Sequence, residues 1–250
     1  MSRLLAPLLL ALFLAGCAGQ PSRQAEPGGQ NASRLNAELG LGCMQQGEHE
    51  MAMEKLQRAL TQNPRNVDAH HYLAELYRRM DILDRAESHF QRAATLDPES
   101  AQIHNNIGVF YCETGDYARS ERHFLKAIED PLFRDRAQSL ENLGICMREA
   151  GNHEASRRYF EQALRANPRL SATLFHLARI THETRELELA HGYLRRLHEI
   201  AQPSPQTLLL AIRVAKERGD AQTANELTTT LIEQFPVADE TRILLRQRSQ

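Results

Sequence analysis

The chain has 250 residues, a formal net charge of −2, no tryptophan and only 6% aromatic residues. Acidic and basic residues nearly balance, with no basic patch and no tract of like charge, which argues against nucleic acid as a partner.

Met1–Arg3 carries one positive charge and Leu4–Ala15 is almost purely apolar. These are the charged and apolar regions of an export signal, too short to span a bilayer comfortably. The apolar run ends in "LAGC", Leu14–Cys17, which resembles the bacterial lipobox. Small residues there admit the signal peptidase, and the cysteine thiol takes a diacylglycerol. The bland alternative is an ordinary cleaved signal that contains a cysteine. The expected division is a signal peptide over residues 1–16, then a lipidated Cys17 opening a flexible tether that runs to residue 34. Stable anchoring needs more than one acyl chain, at about 0.8 kcal/mol per buried CH₂. Ala18 rather than Asp after the cysteine fits sorting to the periplasmic face of the outer membrane. Ala18–Arg34 has no Leu, Ile, Val or Phe but two prolines and an adjacent glycine pair, a composition that cannot bury a core and reads as a coil about 20–25 Å across.

From there on four prolines act as a ruler: Pro64, Pro98, Pro168 and Pro236 are separated by 34, 70 and 68 residues. Three stand in Asn-Pro or Asp-Pro pairs that end one helix before another starts. A period of 34 with helix–turn–helix patterning is the tetratricopeptide signature. The expected fold is all-α: residues 35–250 form a superhelical solenoid of about six repeats starting near 33, 67, 101, 137, 171 and 205. Small residues recur in phase at Gly40, Ala74, Gly108, Gly144 and Ala178, and again at Ala52, Ala86, Ser120, Ser156, Ala190 and Ala224. Between them stand Leu56, Phe90, Phe124, Phe160 and Leu194. Small groups belong where paired helices cross closely, and a bulky side chain fills the gap beyond. The phase slips by two residues in "DPLFRDRA", where Leu132 and Phe133 occupy turn positions; inward packing is favoured over an exposed apolar contact. Val237–Gln250 reads as a short capping helix.

No phosphate-cradling loop, GxSxG or HExxH is present, so no catalytic residue, cofactor or small-molecule substrate is assigned. His70 and His104 share one repeat position, and His89 and His123 another. Equivalent histidines in adjacent repeats would stand about 10 Å apart, too far to share a metal, so no metal site is expected. Glu121, Arg122, Arg157 and Arg158 are placed on the wet convex face. Cys112 and Cys146 lie at near-equivalent depths in neighbouring repeats. A bridge needs Cα atoms within about 7 Å, and spacing alone leaves a disulfide and two buried thiols equally open. The concave groove, lined by the first helix of each repeat, is the expected binding face. Asn105, Asn106 and Asn142 offer amides that can pair with a peptide backbone, or that simply link neighbouring helices. By phase the groove also holds His71, Glu75, Arg78, Gln102, Val109, Glu141, Ile145 and Arg148.

Asn105–Gly151 carries an Asn-Asn-x-Gly-x-Phe stretch (Asn105, Asn106, Gly108, Phe110), a long turn with Phe133, and an Asn-x-Gly at Asn142 and Gly144. With the lipobox, tether and repeats, this resembles the type IV pilus biogenesis lipoproteins of the PilF/PilW pilotin kind. Ile107 stands where that family usually has Tyr, a mild departure. The resemblance implies an outer-membrane assembly factor that binds the secretin subunit, or another pilus assembly protein, and promotes secretin localisation and oligomerisation. Many members carry both cysteines, which favours the Cys112–Cys146 bridge. The competing expectation is a general periplasmic scaffold that docks cell-wall hydrolases or proteases to the envelope.

Overall fold

The structure, a computed structural model, describes residues 27–248; the signal segment, Cys17 and the start of the expected tether lie outside them. The described residues form thirteen α-helices and no strand. The first repeat pairs α1 (Pro27–Gln45) with α2 (His49–Gln62), and the second α3 (Val67–Arg79) with α4 (Leu83–Leu96). α5 (Ala101–Glu113) and α6 (Tyr117–Glu129) make the third, α7 (Arg136–Glu149) and α8 (His153–Ala166) the fourth. α9 (Ser171–Glu183) with α10 (Leu187–Ile200), and α11 (Pro205–Glu217) with α12 (Ala221–Gln234), complete the pairs, and α13 (Asp239–Arg248) closes the array.

Local chemistry sets the helix ends. Asn66, Ser100, Asp116, Asn152, Ser204 and Asp220 each accept a backbone N–H from the first turn that follows, satisfying donors the helix leaves open. The turn between the two helices of each repeat needs a left-handed residue. Gly47, Gly115, Gly151 and Gly219 supply it at φ 76–80°, while Asp81 and Arg185 adopt it at 58° and 65°, where a side chain makes it costlier.

The repeat core is a small-on-large contact. Phe90, Phe124 and Phe160 are at most 1% exposed, and Gly108 and Gly144 present bare backbone to the second and third of these rings. Ser120 Oγ donates to Gly108 O at 2.7 Å and Ser156 Oγ to Gly144 O at 2.8 Å. These serines are therefore small residues that also lock the crossing with a buried hydrogen bond. First helices touch one another along the stack (α1 with α3, α3 with α5, α5 with α7, α9 with α11), and among the described residues no pair of second helices makes equivalent contact. The stack thus bends with first helices inside, which forms the groove.

Two expectations need correction, while the expected capping helix is present as α13. The flexible stretch does not reach residue 34, because α1 already begins at Pro27. Ser33 explains this: it is fully buried, donates to Ala59 O at 2.7 Å and accepts from Asn66 Nδ2 at 2.8 Å. Leu132 does not tuck inward; it is 88% exposed, while Phe133 is half-buried. In the capping helix Thr241 and Leu244 are buried, and Ile243 and Leu245 face outward.

Candidate functional site

The inner wall is stitched together by polar bonds between first helices. Asn106 donates from Nδ2 to His71 Nε2 at 2.7 Å, joining α5 to α3, and its Oδ1 accepts from Gln102 and Asn105. Asn105 in turn accepts from Ser139 at 2.6 Å, reaching α7. Glu141 is only 6% exposed, accepts from Gln138 at 2.7 Å and from the Thr173 hydroxyl, and so ties α7 to α9. Arg148 donates to His176 Nδ1 at 2.9 Å across the same boundary. Arg78 lies between Glu75 at 2.9 Å and Glu113 at 2.7 Å.

These partners divide the sequence candidates. His71, Asn105, Asn106, Glu141 and Arg148 are engaged in holding repeats together, so for them the helix-linking role prevails over free amide pairing. His71, Glu75, Gln102 and Asn106 border a hollow of about 390 Å³ floored by Leu41 and Met44. Val109, Asn142 and Ile145 border a second hollow, of about 210 Å³. Asn142 Oδ1 accepts from Gln138 at 3.3 Å, and its Nδ2 has no partner among the described residues. Cys112 and Cys146 are joined as a disulfide with Cα atoms 5.7 Å apart, at the edge of the second hollow. Cys43 is free.

The histidines pair in a way that repeat phase alone does not give. Partners come from the two helices of one repeat: His70 Nδ1 lies 3.0 Å from His89 Nδ1, and His104 Nδ1 2.9 Å from His123 Nδ1. His104 Nε2 also donates to Pro98 O at 2.9 Å and His70 Nε2 to Pro64 O at 3.2 Å. A neutral His104 or His70 therefore offers Nδ1 as the acceptor, and the second ring supplies the Nδ1 proton. Among the described residues no group of three or more His, Cys, Asp or Glu side chains is placed to hold a metal ion.

Burial pushes His71, His89, His123 and His176 down to about 4. Neighbouring His70 and His104 reinforce the effect on His89 and His123, as does Arg148 on His176. His71 and His176 accept hydrogen bonds at their ring nitrogens, a role only the neutral imidazole fills. The unfolded chain takes up these protons near 6.5, so the stabilisation is complete above that pH and is lost as pH falls from 6.5 toward 4. Arginine-held carboxylates such as Glu186 and Glu188 act lower still, leaving the window above pH 5 to the imidazoles. The expected result is a melting temperature at least ~5 °C lower at pH 5 than at pH 7, with a shallower slope in His123→Gln; a flat profile would contradict it.

Tetratricopeptide-repeat family models match residues 40–81, 99–169 and 148–205. The chain is a tetratricopeptide-repeat protein. It is 29% identical over 231 residues to the type IV pilus assembly protein PilF of Pseudomonas aeruginosa, spanning 91% of this chain and 92% of that one. The repeat array superposes on the crystal structure of PilW, a widely conserved type IV pilus biogenesis factor, at TM-score 0.73 and 29% identity, over 85% of this chain and 98% of that one. For the Pseudomonas aeruginosa PilF structure the TM-score is 0.77 at 28% identity, over 88% and 99%. The tetratricopeptide protein YrrB, described as having an unusual peptide-binding site, shares the fold alone at TM-score 0.62 and 16% identity, over 76% of this chain and 97% of that one. Homology to PilF and likeness to PilW thus extend over nearly the whole array.

Proposed function

We propose that this protein is an outer-membrane pilotin for type IV pilus biogenesis, anchored through a lipidated Cys17, whose groove holds a segment of the secretin subunit and promotes secretin localisation and oligomerisation. The observation that carries this reading is similarity over 91% of the chain to a type IV pilus assembly protein, joined to a groove that keeps two open hollows between first helices. Preformed concave walls bind an extended segment with little reorganisation cost, and an anchor raises the local concentration of partner near the bilayer. No catalytic constellation is needed, and we assign no enzymatic activity.

The test is a deletion strain complemented with the wild-type gene, with Cys17→Ser, or with Ile145→Asp. The wild type restores secretin multimers in the outer membrane. Cys17→Ser leaves a folded body that no longer fractionates with membranes and restores few multimers. Ile145→Asp stays anchored but restores at most about a tenth of them. Normal multimers in the deletion strain would sink the pilotin role, and cell-wall hydrolases co-purifying in their place would favour the scaffold.

A further inference from the structure

The first helices of repeats three to six all end in glutamate: Glu113, Glu149, Glu183 and Glu217 close α5, α7, α9 and α11. A carboxylate at this end faces the negative pole of its helix, so a neighbouring cation matters more than elsewhere. Three have one. Glu113 meets Arg78 at 2.7 Å, Glu183 meets Arg179 at 3.7 Å, and Glu217 meets Arg185 at 2.6 Å and His182 at 3.0 Å. Arg78 and His182 occupy the same position, next to last in the preceding first helix. The equivalent residue before Glu149 is Cys112, which is committed to the bridge with Cys146. Its sulfur lies 3.7 Å from Glu149 Oε2, but a disulfide sulfur has no proton to donate. Among the described residues no Lys, Arg or His forms an ion pair with Glu149.

Glu149 borders the smaller hollow, beside half-buried Val109 and Ile145 and the unpartnered Nδ2 of Asn142. We infer that this hollow takes an extended segment of another polypeptide in which an aliphatic residue is followed by Lys or Arg. The aliphatic side chain covers Val109 and Ile145, a main-chain carbonyl accepts from Asn142 Nδ2, and the cation completes the pairing that Cys112 leaves open. A bare inorganic cation or polyamine would meet the carboxylate and leave the apolar floor wet. A glutamate in the basic position would face Glu149 and be rejected. This inference rests on the groove reading above and adds to it the charge of the bound segment.

The experiment uses the full-length protein in detergent and three fluorescent pools of short capped peptides, random except for a central Val-Lys, Val-Gln or Val-Glu. In anisotropy titrations the Val-Lys pool binds about three- to tenfold tighter than Val-Gln, Val-Glu binds weakest, and the difference shrinks with added salt. Glu149→Lys inverts the order while melting like the wild type. Equal binding of the three pools, unchanged by Glu149→Lys but abolished by Ile145→Asp, would overturn the basic preference and leave groove binding standing. No binding of any pool at about 1 mM peptide would overturn both.

Discussion

Gly144→Val will lower the melting temperature by about 6–12 °C. A Cβ on Gly144 would stand 2.6 Å from Phe160 Cδ1 and 2.7 Å from Cε1. Phe160 cannot yield: it is fully buried, and its ring stacks on His176 with centroids 4.9 Å apart. Overpacking of this kind costs about 3 kcal/mol, and a domain of this size loses about 2–4 °C per kcal/mol. Replacing Phe160 by Leu in the same chain should recover part of the loss, because a smaller side chain relieves the contact. Gly192 is the internal control. It lies in mid-helix with nothing within 4 Å of its added Cβ, so Gly192→Ala should be neutral or stabilise by up to ~1 kcal/mol. Equal melting of Gly144→Val and wild type would contradict the small-on-large account of the repeat core.

Removing the Cys112–Cys146 bridge, by reduction or by Cys112→Ser with Cys146→Ser, will cost about 2–4 kcal/mol. The two residues are 34 apart in sequence and belong to α5 and α7, so the bridge clamps the boundary between the third and fourth repeats. A repeat array holds together through nearest-neighbour interfaces. Weakening this one should broaden the unfolding transition as well as shift it, because the two halves begin to melt separately. A thiol count on unfolded, unreduced Cys17→Ser protein should find one free thiol, at Cys43. Three would contradict the bridge.

The array was legible from the chain because its signals are local and repeated. Phased small residues and the Phe90, Phe124 and Phe160 series recur every 34–36 residues, and the proline pairs at Pro64, Pro98 and Pro168 stand one and two periods apart, so any one repeat predicts the next. Features that depend on what a polar side chain meets across a helix boundary were not legible. Ser33 sits in a stretch with the composition of a linker, and only the carbonyl of Ala59 and the amide of Asn66 make it a buried anchor for α1. The histidines recur in phase, which hid their true pairing of a first-helix with a second-helix ring. The groove positions followed from phase, but availability did not: Asn106 and Asn142 are equivalent in the repeat, yet His71 satisfies the first amide nitrogen while none of the described residues satisfies the second. Leu132 misled because the two extra residues of its turn carry it clear of the neighbouring helices.

In-cell photo-cross-linking tests the central claim most directly, with a benzophenone amino acid placed singly at exposed groove positions Gln102 or Gln138 and at exposed outer positions Arg122 or Arg158. Adducts containing secretin should form from the two groove positions and fall to background from the two outer ones. Adducts from Arg122 and Arg158 with none from Gln102 and Gln138 would contradict the account.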